Sequence, residues 1–200
     1  GSGEALEASF NAFARRVRPA GKLLICNGLP SEGLTYGIED DSDFCIRNVR
    51  IDAGCYQFDI VTPEATYTGV RFHKPGRHNL LNALAAFAMA LQVTDRADSL
   101  VAGLGTFKGV QRRFSYRLAS EDLIYIDDYA HHPTEIDAVY QAIQEMHPGK
   151  KVLAVFQPHL YSRTRDFGPE FARSLSRFDE GTALDELKRH IRPYPALAET

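Results

Sequence analysis

Five of the six side chains from Asp127 to His132 can titrate, in the order Asp-Asp-Tyr-Ala-His-His. Histidine gains and loses protons near neutral pH, so it can orient a substrate or exchange a proton with it. In an extended segment one of two adjacent aspartates would face a ligand while the other packs against the sheet. We expect Asp128 to be the functional one, with Tyr129 beside it. This concentration of titratable groups predicts a ligand site.

A second polar cluster, Gln157–Phe167, contains His159, Arg163 and Arg165. Arginine binds carboxylate or phosphate through two parallel hydrogen bonds, which suits it to recognising these anions. If the two clusters meet, they form an anion-binding set that also includes His131. Taken singly, a histidine at a helix start is more often a cap, and a surface arginine is more often only solvated. Both interpretations stay open at this point.

A third candidate is the segment GRHNLLNAL, which contains His78, Asn79 and Asn82. His78 and Asn82 are four residues apart, so they share one face of a helix. An imidazole or amide on that face could form hydrogen bonds with a planar heterocycle. Capping of the helix start is the commoner role for such residues.

Each of the first two clusters follows an apolar run, DLIYI or KVLAVF, and each precedes a helical pattern. The first of these helices would begin at Pro133, because proline suits the first helical position. A strand–helix–strand–helix order predicts a parallel sheet. Ligands of such sheets bind beyond the carboxyl ends of the strands, so the two clusters would lie at one edge.

Upstream, apolar residues recur at helical spacing from Glu4 to Val17. The runs KLLIC, LTYGI, FCIRNVRI, CYQFDIV and TYTGVRF then predict strands. After Pro75 and Gly76 the pattern changes to two helices. The junction GVQRRFSYRL separates two predicted domains, residues 1–111 and 112–200.

Composition excludes several classes of protein. The net charge of −3 argues against general binding to nucleic acid, and no apolar run approaches the ~18 residues of a membrane-spanning helix. The three cysteines form no CxxC pair, so we expect reduced thiols, as in a cytosolic protein, and no zinc site. The segment GLGTFKG ends a predicted helix instead of starting one, which argues against a dinucleotide-binding redox enzyme.

Four motifs in order, GRHNLLNALAA, GVQRRF, DDYAHHPTEI and FQPHLYSRTRDF, resemble the Mur ligase family of peptidoglycan synthesis. The resemblance implies an α/β fold: the later part of the central ATP-binding domain, then a Rossmann-like parallel α/β C-terminal domain that looks incomplete. It implies a bacterial cytoplasmic enzyme that uses ATP and Mg²⁺ to join L-alanine to UDP-N-acetylmuramate. The carboxylate would become an acyl phosphate, which the amino group then attacks.

The resemblance also implies a role for each candidate residue. His78, Asn79 and Asn82 would lie at the adenine, and Arg113 would reach the nucleotide phosphates. Asp128 and Tyr129 would contact the nucleotide, with Asp128 at the ribose. Three side chains would line the amino-acid and acyl-phosphate side: His131, His159 and Arg163.

The sequence departs from the family at several points. It contains no G-x-x-x-x-G-K-[ST], so the phosphate loop, the UDP-sugar domain and the main magnesium ligands are expected upstream. Leu160 stands where many relatives carry arginine, and after SRFDE the expected apolar strand is replaced by the tail GTALDELKRHIRPYPALAET. Two alternatives remain: a ligase that recycles murein tripeptide, and a non-catalytic nucleotide-binding or assembly fragment. The oligomeric state stays open.

Overall fold

The computed structural model describes residues 3–18, 20–52 and 54–183, which form two compact units that divide between Gly109 and Val110. The first unit contains α1 (Gly3–Ala14), β1 (Leu24–Cys26), β2 (Leu34–Ile38), β3 (Phe44–Asp52), β4 (Cys55–Val61), β5 (Thr66–Phe72), α2 (Arg77–Leu91) and α3 (Ala97–Thr106). The second contains β6 (Ser115–Ala119), β7 (Ile124–Asp127), α4 (Pro133–Met146), β8 (Leu153–Phe156), α5 (Tyr161–Asp166), α6 (Gly168–Leu175) and β9 (Glu180–Ala183).

The first unit is built on one mixed sheet with the strand order β1-β2-β3-β4-β5. Strands β1, β2 and β3 run parallel, whereas β3, β4 and β5 form an antiparallel meander. All five strands that the apolar runs predicted are confirmed. The three cysteines lie on β1, β3 and β4 as free thiols, because small, weakly polar side chains suit buried strand positions.

Helix α2 lies against β1, β2 and β3, and α3 lies against β5. The buried face of α2 consists of Leu80, Ala83, Leu84, Phe87 and Ala88. Burying a leucine or phenylalanine side chain stabilises a fold by about 1.5–3 kcal/mol, so this face anchors α2 to the sheet. Helix α1 forms where the spacing predicted a helix, but it ends at Ala14 instead of Val17, and its apolar stripe is exposed at Leu6, Phe10 and Phe13.

Strand β6 corrects the sequence analysis, which treated GVQRRFSYRL as a junction. Ser115–Ala119 pairs antiparallel with β7, and the Ser120 side chain closes the hairpin by accepting a hydrogen bond from the Leu123 amide at 3.0 Å. The strand was missed because most of it is exposed and so carries no buried apolar run. In the described residues β7 and β8 belong to separate two-stranded sheets, not to the parallel pair that was expected.

A short strand also forms where the sequence analysis expected one to be missing. Strand β9 pairs parallel with β8, and the Val152 amide donates to the Asp179 carboxylate at 2.7 Å. Lys151 forms an ion pair with Glu180 at 2.5 Å. Backbone pairing thus overrides the weak strand preference of Glu-Gly-Thr-Ala, while residues 184–200 of the predicted tail lie outside the described residues.

The core of the second unit is centred on Phe114, which is 1% exposed and packs with Ala142 and Ile143 of α4. Helix α6 packs against α4, and the buried Ser174 hydroxyl donates to the Pro133 carbonyl at 3.2 Å. The mixed α/β class is confirmed for the chain. None of the helices in the described ranges is long and apolar enough to cross a membrane.

We expect His147 to make the stability of the second unit depend on pH. Its Nε2 atom lies 2.9 Å from the Tyr116 hydroxyl, and burial together with the positive charge of Lys150 lowers the pKa of His147. The unfolded chain therefore binds a proton at higher pH than the folded unit does. Stability should fall as the pH drops through the ordinary histidine pKa of about 6.5 and level off below the folded pKa.

We expect His147→Gln to flatten this dependence, since glutamine does not titrate. The measurement is the free energy of opening of the α4 amides, from native-state hydrogen exchange of the full-length protein between about pH 7.5 and pH 5, in wild type and variant. Equal slopes in the two proteins would contradict the assignment.

Candidate functional site

The segment 127–132 connects β7 to α4, and its last residue caps the helix. The His132 side chain accepts a hydrogen bond from the Thr134 amide, and its Nδ1 atom lies 2.9 Å from the Thr134 hydroxyl. Pro133 follows at the first helical position. The capping interpretation therefore holds for His132, because this side chain satisfies the otherwise unpaired helix start.

Asp128 is held by the backbone on both sides. One carboxylate oxygen accepts from the Phe114 amide at 2.7 Å, and the other accepts from the Ala130 amide at 2.7 Å. Arg112 and Phe114 have positive φ angles of 56° and 44°, a conformation that costs non-glycine residues about 1–3 kcal/mol each. Asp128 thus stabilises the strained turn that carries Arg113, and its predicted contact with a nucleotide stays a prediction.

The neighbouring Asp127 has different partners. Its carboxylate pairs with Arg117 at 3.0 Å and with Arg112 at 3.7 Å. The two carboxylates therefore pair with different groups. Asp127 joins β7 to β6, and Asp128 joins the end of β7 to the turn before β6.

Three aromatic rings gather at the end of β7. The Tyr129 ring centroid lies 4.9 Å from that of His131 and 6.4 Å from that of His159. The Arg112 guanidinium lies 5.1 Å from the centre of the Tyr129 ring, a distance at which a cation is attracted to the ring face. Tyr129 is 39% exposed, so this group is accessible to a ligand.

His131 has a defined ring orientation. Its Nδ1 atom lies 2.8 Å from the Tyr129 carbonyl oxygen, which accepts a hydrogen bond and so places the proton of a neutral ring on Nδ1. The Nε2 atom of that tautomer is a proton acceptor. The arrangement suits a group that receives a proton from a substrate.

Arg163 of α5 reaches the same segment, with its guanidinium 3.5 Å from the His131 carbonyl oxygen. Arg165 does not join it, because its guanidinium hydrogen-bonds the adjacent Asp166 at 2.8 Å. The structure therefore brings together three of the four residues expected to form an anion-binding set. They are His131, His159 and Arg163.

Glu135, in the first turn of α4, is a member of the site that the sequence analysis did not single out. Its Oε2 atom accepts from the His131 amide at 2.8 Å, and its Oε1 atom lies 3.7 Å from the Arg113 guanidinium. Burial acts to raise the pKa of Glu135, but the hydrogen bond from the His131 amide and the positive charge of Arg113 outweigh it and lower the pKa. The four-residue spacing from His131 was the available signal.

The nucleotide candidates of the first unit occupy the first two turns of α2. The helix follows Gly76, whose φ of 96° suits a residue without a side chain. The side-chain Nδ2 of Asn79 donates to the Pro75 carbonyl at 2.6 Å and so stabilises the turn. His78 is half-buried, and Asn82 is exposed at the surface of the helix.

No cluster of acidic, histidine or cysteine side chains in the described residues would hold a magnesium ion by itself. Across residues 3–18, 20–52 and 54–183, no group of three or more histidine, cysteine, aspartate or glutamate side chains could hold a metal ion. Such ions need several oxygen ligands at close range. No step of the proposed reaction is therefore assigned to a metal held by these residues.

Comparison with known proteins identifies both units. Residues 24–90 match the Mur ligase middle domain, and residues 112–198 match the glutamate ligase domain of Mur ligases. The UDP-N-acetylmuramate–L-alanine ligase of Christiangramia forsetii is 56% identical over 90% of this chain and 40% of its own length. The enzyme of the same name from Flavobacterium psychrophilum is 52% identical over 92% of this chain and 41% of its own length.

The fold agrees with that of solved structures. The crystal structure of UDP-N-acetylmuramate–alanine ligase from Thermotoga maritima matches with a TM-score of 0.63 and 26% identity, over 80% of this chain and 42% of that one. The chain thus spans about two fifths of the length of the relatives that it matches. With the middle and C-terminal domains matched in order, the chain belongs to the Mur ligase family.

Proposed function

We propose that the full-length protein containing this chain joins L-alanine to UDP-N-acetylmuramate with ATP, in the cytoplasmic stage of bacterial peptidoglycan synthesis. The observation that carries this proposal is the 56% identity to a relative of that name, over 90% of the chain. The chain supplies parts of two domains, so we expect the 200-residue polypeptide to be inactive by itself.

The group at the end of β7 suits the acyl-transfer side of this reaction. The Arg163 guanidinium would stabilise the negative charge on the phosphoryl group and on the tetrahedral intermediate, as oriented donors do in such reactions. The Nδ1–H group of His131 donates a hydrogen bond to the Tyr129 carbonyl. The Nε2 atom would then take a proton from the attacking amine. His159, beside Tyr129, would line the amino-acid pocket.

The residues of α2 and of the turn at Arg113 suit the nucleotide side. Asn82 presents its amide at the surface, which supports a hydrogen bond to adenine from Asn82 and His78. Asn79 would also lie at the adenine, while its side chain stabilises the turn before α2. Arg113 would contact the phosphates, with Asp128 and Tyr129 near the ribose.

Asn82→Ala is expected to raise the KM for ATP by about tenfold, as loss of one ligand hydrogen bond does, with little change in the KM for L-alanine. Gln92→Ala removes an amide at the other end of the same helix and serves as the matched control. The measurement is steady-state phosphate release with each substrate varied in turn. Equal changes in both KM values would remove the adenine role.

The function itself is tested by phosphate release from the full-length protein with ATP, Mg²⁺, UDP-N-acetylmuramate and L-alanine. We expect release only when all four are present. Release with a murein tripeptide in place of L-alanine, and none with L-alanine, would identify a recycling ligase instead. Activity of the 200-residue chain alone would show that the phosphates bind to residues of this chain that we have not assigned.

A further inference from the structure

Glu135 connects two residues that the proposed reaction uses on different sides of the site. Its Oε2 atom lies 2.8 Å from the His131 amide and 3.3 Å from the His131 ring. Its Oε1 atom faces the Arg113 guanidinium at 3.7 Å. The carboxylate thus divides its two oxygens between the amine side and the phosphate side.

An acidic residue in the first turn of a helix has an ordinary explanation, since it complements the positive end of the helix dipole. That explanation requires only proximity to the helix start. It does not account for an oxygen directed at a guanidinium from outside the helix, on the turn before β6. The side chain is 33% exposed, so water screens its interactions less than those of a fully exposed pair.

The geometry of the Arg113 contact indicates that Glu135 orients the guanidinium without occupying all of its hydrogen-bond donors. A tight, bidentate arginine–carboxylate pair has nitrogen–oxygen distances of about 2.7–2.9 Å, whereas this one is 3.7 Å and involves one guanidinium nitrogen. The remaining donors of Arg113 can therefore bind an anion. A carboxylate that limits the rotamers of the guanidinium would reduce the entropy that Arg113 loses when the anion arrives.

We propose that Glu135 is a positioning residue, which holds Arg113 ready for the nucleotide phosphates and fixes the His131 segment for the acyl transfer. The proposal rests on the proposed function for the identity of the anion. Glu135 acts through Arg113 and His131 and touches no reacting atom. Its removal should therefore affect ATP binding and turnover through those two residues.

The test uses Glu135→Gln, which keeps the size of the side chain and an acceptor for the His131 amide but removes the charge. The matched control is Asp137→Asn, which removes a charge two residues along α4, where the Asp137 carboxylate pairs with Arg177 at 3.0 Å. Both changes are made in the full-length protein. The dissociation constant for ATP is measured by calorimetry, and kcat and the KM for L-alanine are measured by phosphate release.

In Glu135→Gln we expect ATP to bind about fivefold more weakly and kcat to fall about tenfold, while Asp137→Asn stays within about twofold of wild type. A double-mutant cycle then separates positioning from general destabilisation. In an Arg113→Ala background, Glu135→Gln should change the ATP dissociation constant by less than about twofold. The fall in kcat should persist in that background, because it acts through His131.

Three results would overturn the inference. These are equal behaviour of Glu135→Gln and Asp137→Asn, tighter ATP binding in Glu135→Gln, and an undiminished effect on ATP binding in the Arg113→Ala background. Tighter binding would mean that the carboxylate merely repels the phosphates. If the wild type released no phosphate with L-alanine, the proposed function would fail, but the calorimetric cycle with ATP alone would still decide the inference about Arg113.

Discussion

Alanine in place of His131 or Arg163 is expected to lower the turnover number of the full-length protein by about two to three orders of magnitude. Removing one preorganised donor from a site that stabilises developing negative charge costs about that factor, and loss of a positioned general base costs a similar one. The two side chains act on the same transfer step, so the double variant should lose less than the product of the two single losses. The measurement is kcat for alanine-dependent phosphate release.

The matched control for Arg163 is Arg165→Ala, two residues along the same short helix. The Arg165 guanidinium is already hydrogen-bonded to Asp166 at 2.8 Å, so its loss should leave kcat within about twofold of wild type. Dissociation constants for ATP should change little in His131→Ala, because its ring is assigned to the amine side. Wild-type rates in both His131→Ala and Arg163→Ala would remove the site assignment.

The two adjacent histidines show how far the sequence could predict this site. The sequence analysis named His131 for the anion-binding set, but residue type and spacing gave no structural reason to prefer it to His132. The difference is geometric: His132 turns its Nδ1 atom to Thr134, whereas the His131 ring lies against Tyr129. A helix cap is a local contact that sequence can suggest, while the direction of the neighbouring ring depends on packing.

Asp128 shows a limit of a different kind. Alternation along an extended segment predicted that only one of the two aspartates would face a ligand, and this stays a prediction. It did not predict that Asp128 would accept from the Phe114 amide, which is 14 residues away in the chain. A hydrogen bond between distant segments follows from how the chain folds back, and no local pattern encodes it.

The strands show the same difference between features that a local pattern predicts and features that depend on a distant segment. Strands β3, β4 and β5 were predicted because each alternates buried and exposed residues or carries a buried apolar run. Strands β6 and β9 were missed. The first is largely exposed, and the second has few strand-forming residues and is held by pairing with β8. Both depend on a partner strand more than on their own composition, which makes strand preference a weak guide.

Phe114→Ala is expected to reduce the free energy of unfolding of the second unit by about 3–5 kcal/mol, the usual cost of truncating a buried phenylalanine. Phe114 is 1% exposed and packs against Ala142 and Ile143, so the cavity would open beneath α4. Because a protein of several domains need not unfold in one step, the measurement is native-state hydrogen exchange of the α4 amides in the full-length protein. Tyr161→Ala is the matched control, since Tyr161 is 83% exposed.

Phe114→Ala should also weaken the binding of ATP. The Phe114 ring anchors the turn in which Phe114 itself has a φ of 44° and its amide is held by Asp128. Without the ring, the energy that keeps this strained turn in place is lost, and Arg113 in the middle of it becomes free to reorient. We therefore expect weaker ATP binding in Phe114→Ala than in Tyr161→Ala, even at temperatures where both remain folded. Faster exchange in α4 with unchanged ATP affinity would show that the Arg113 turn is held by Asp128 without help from the core.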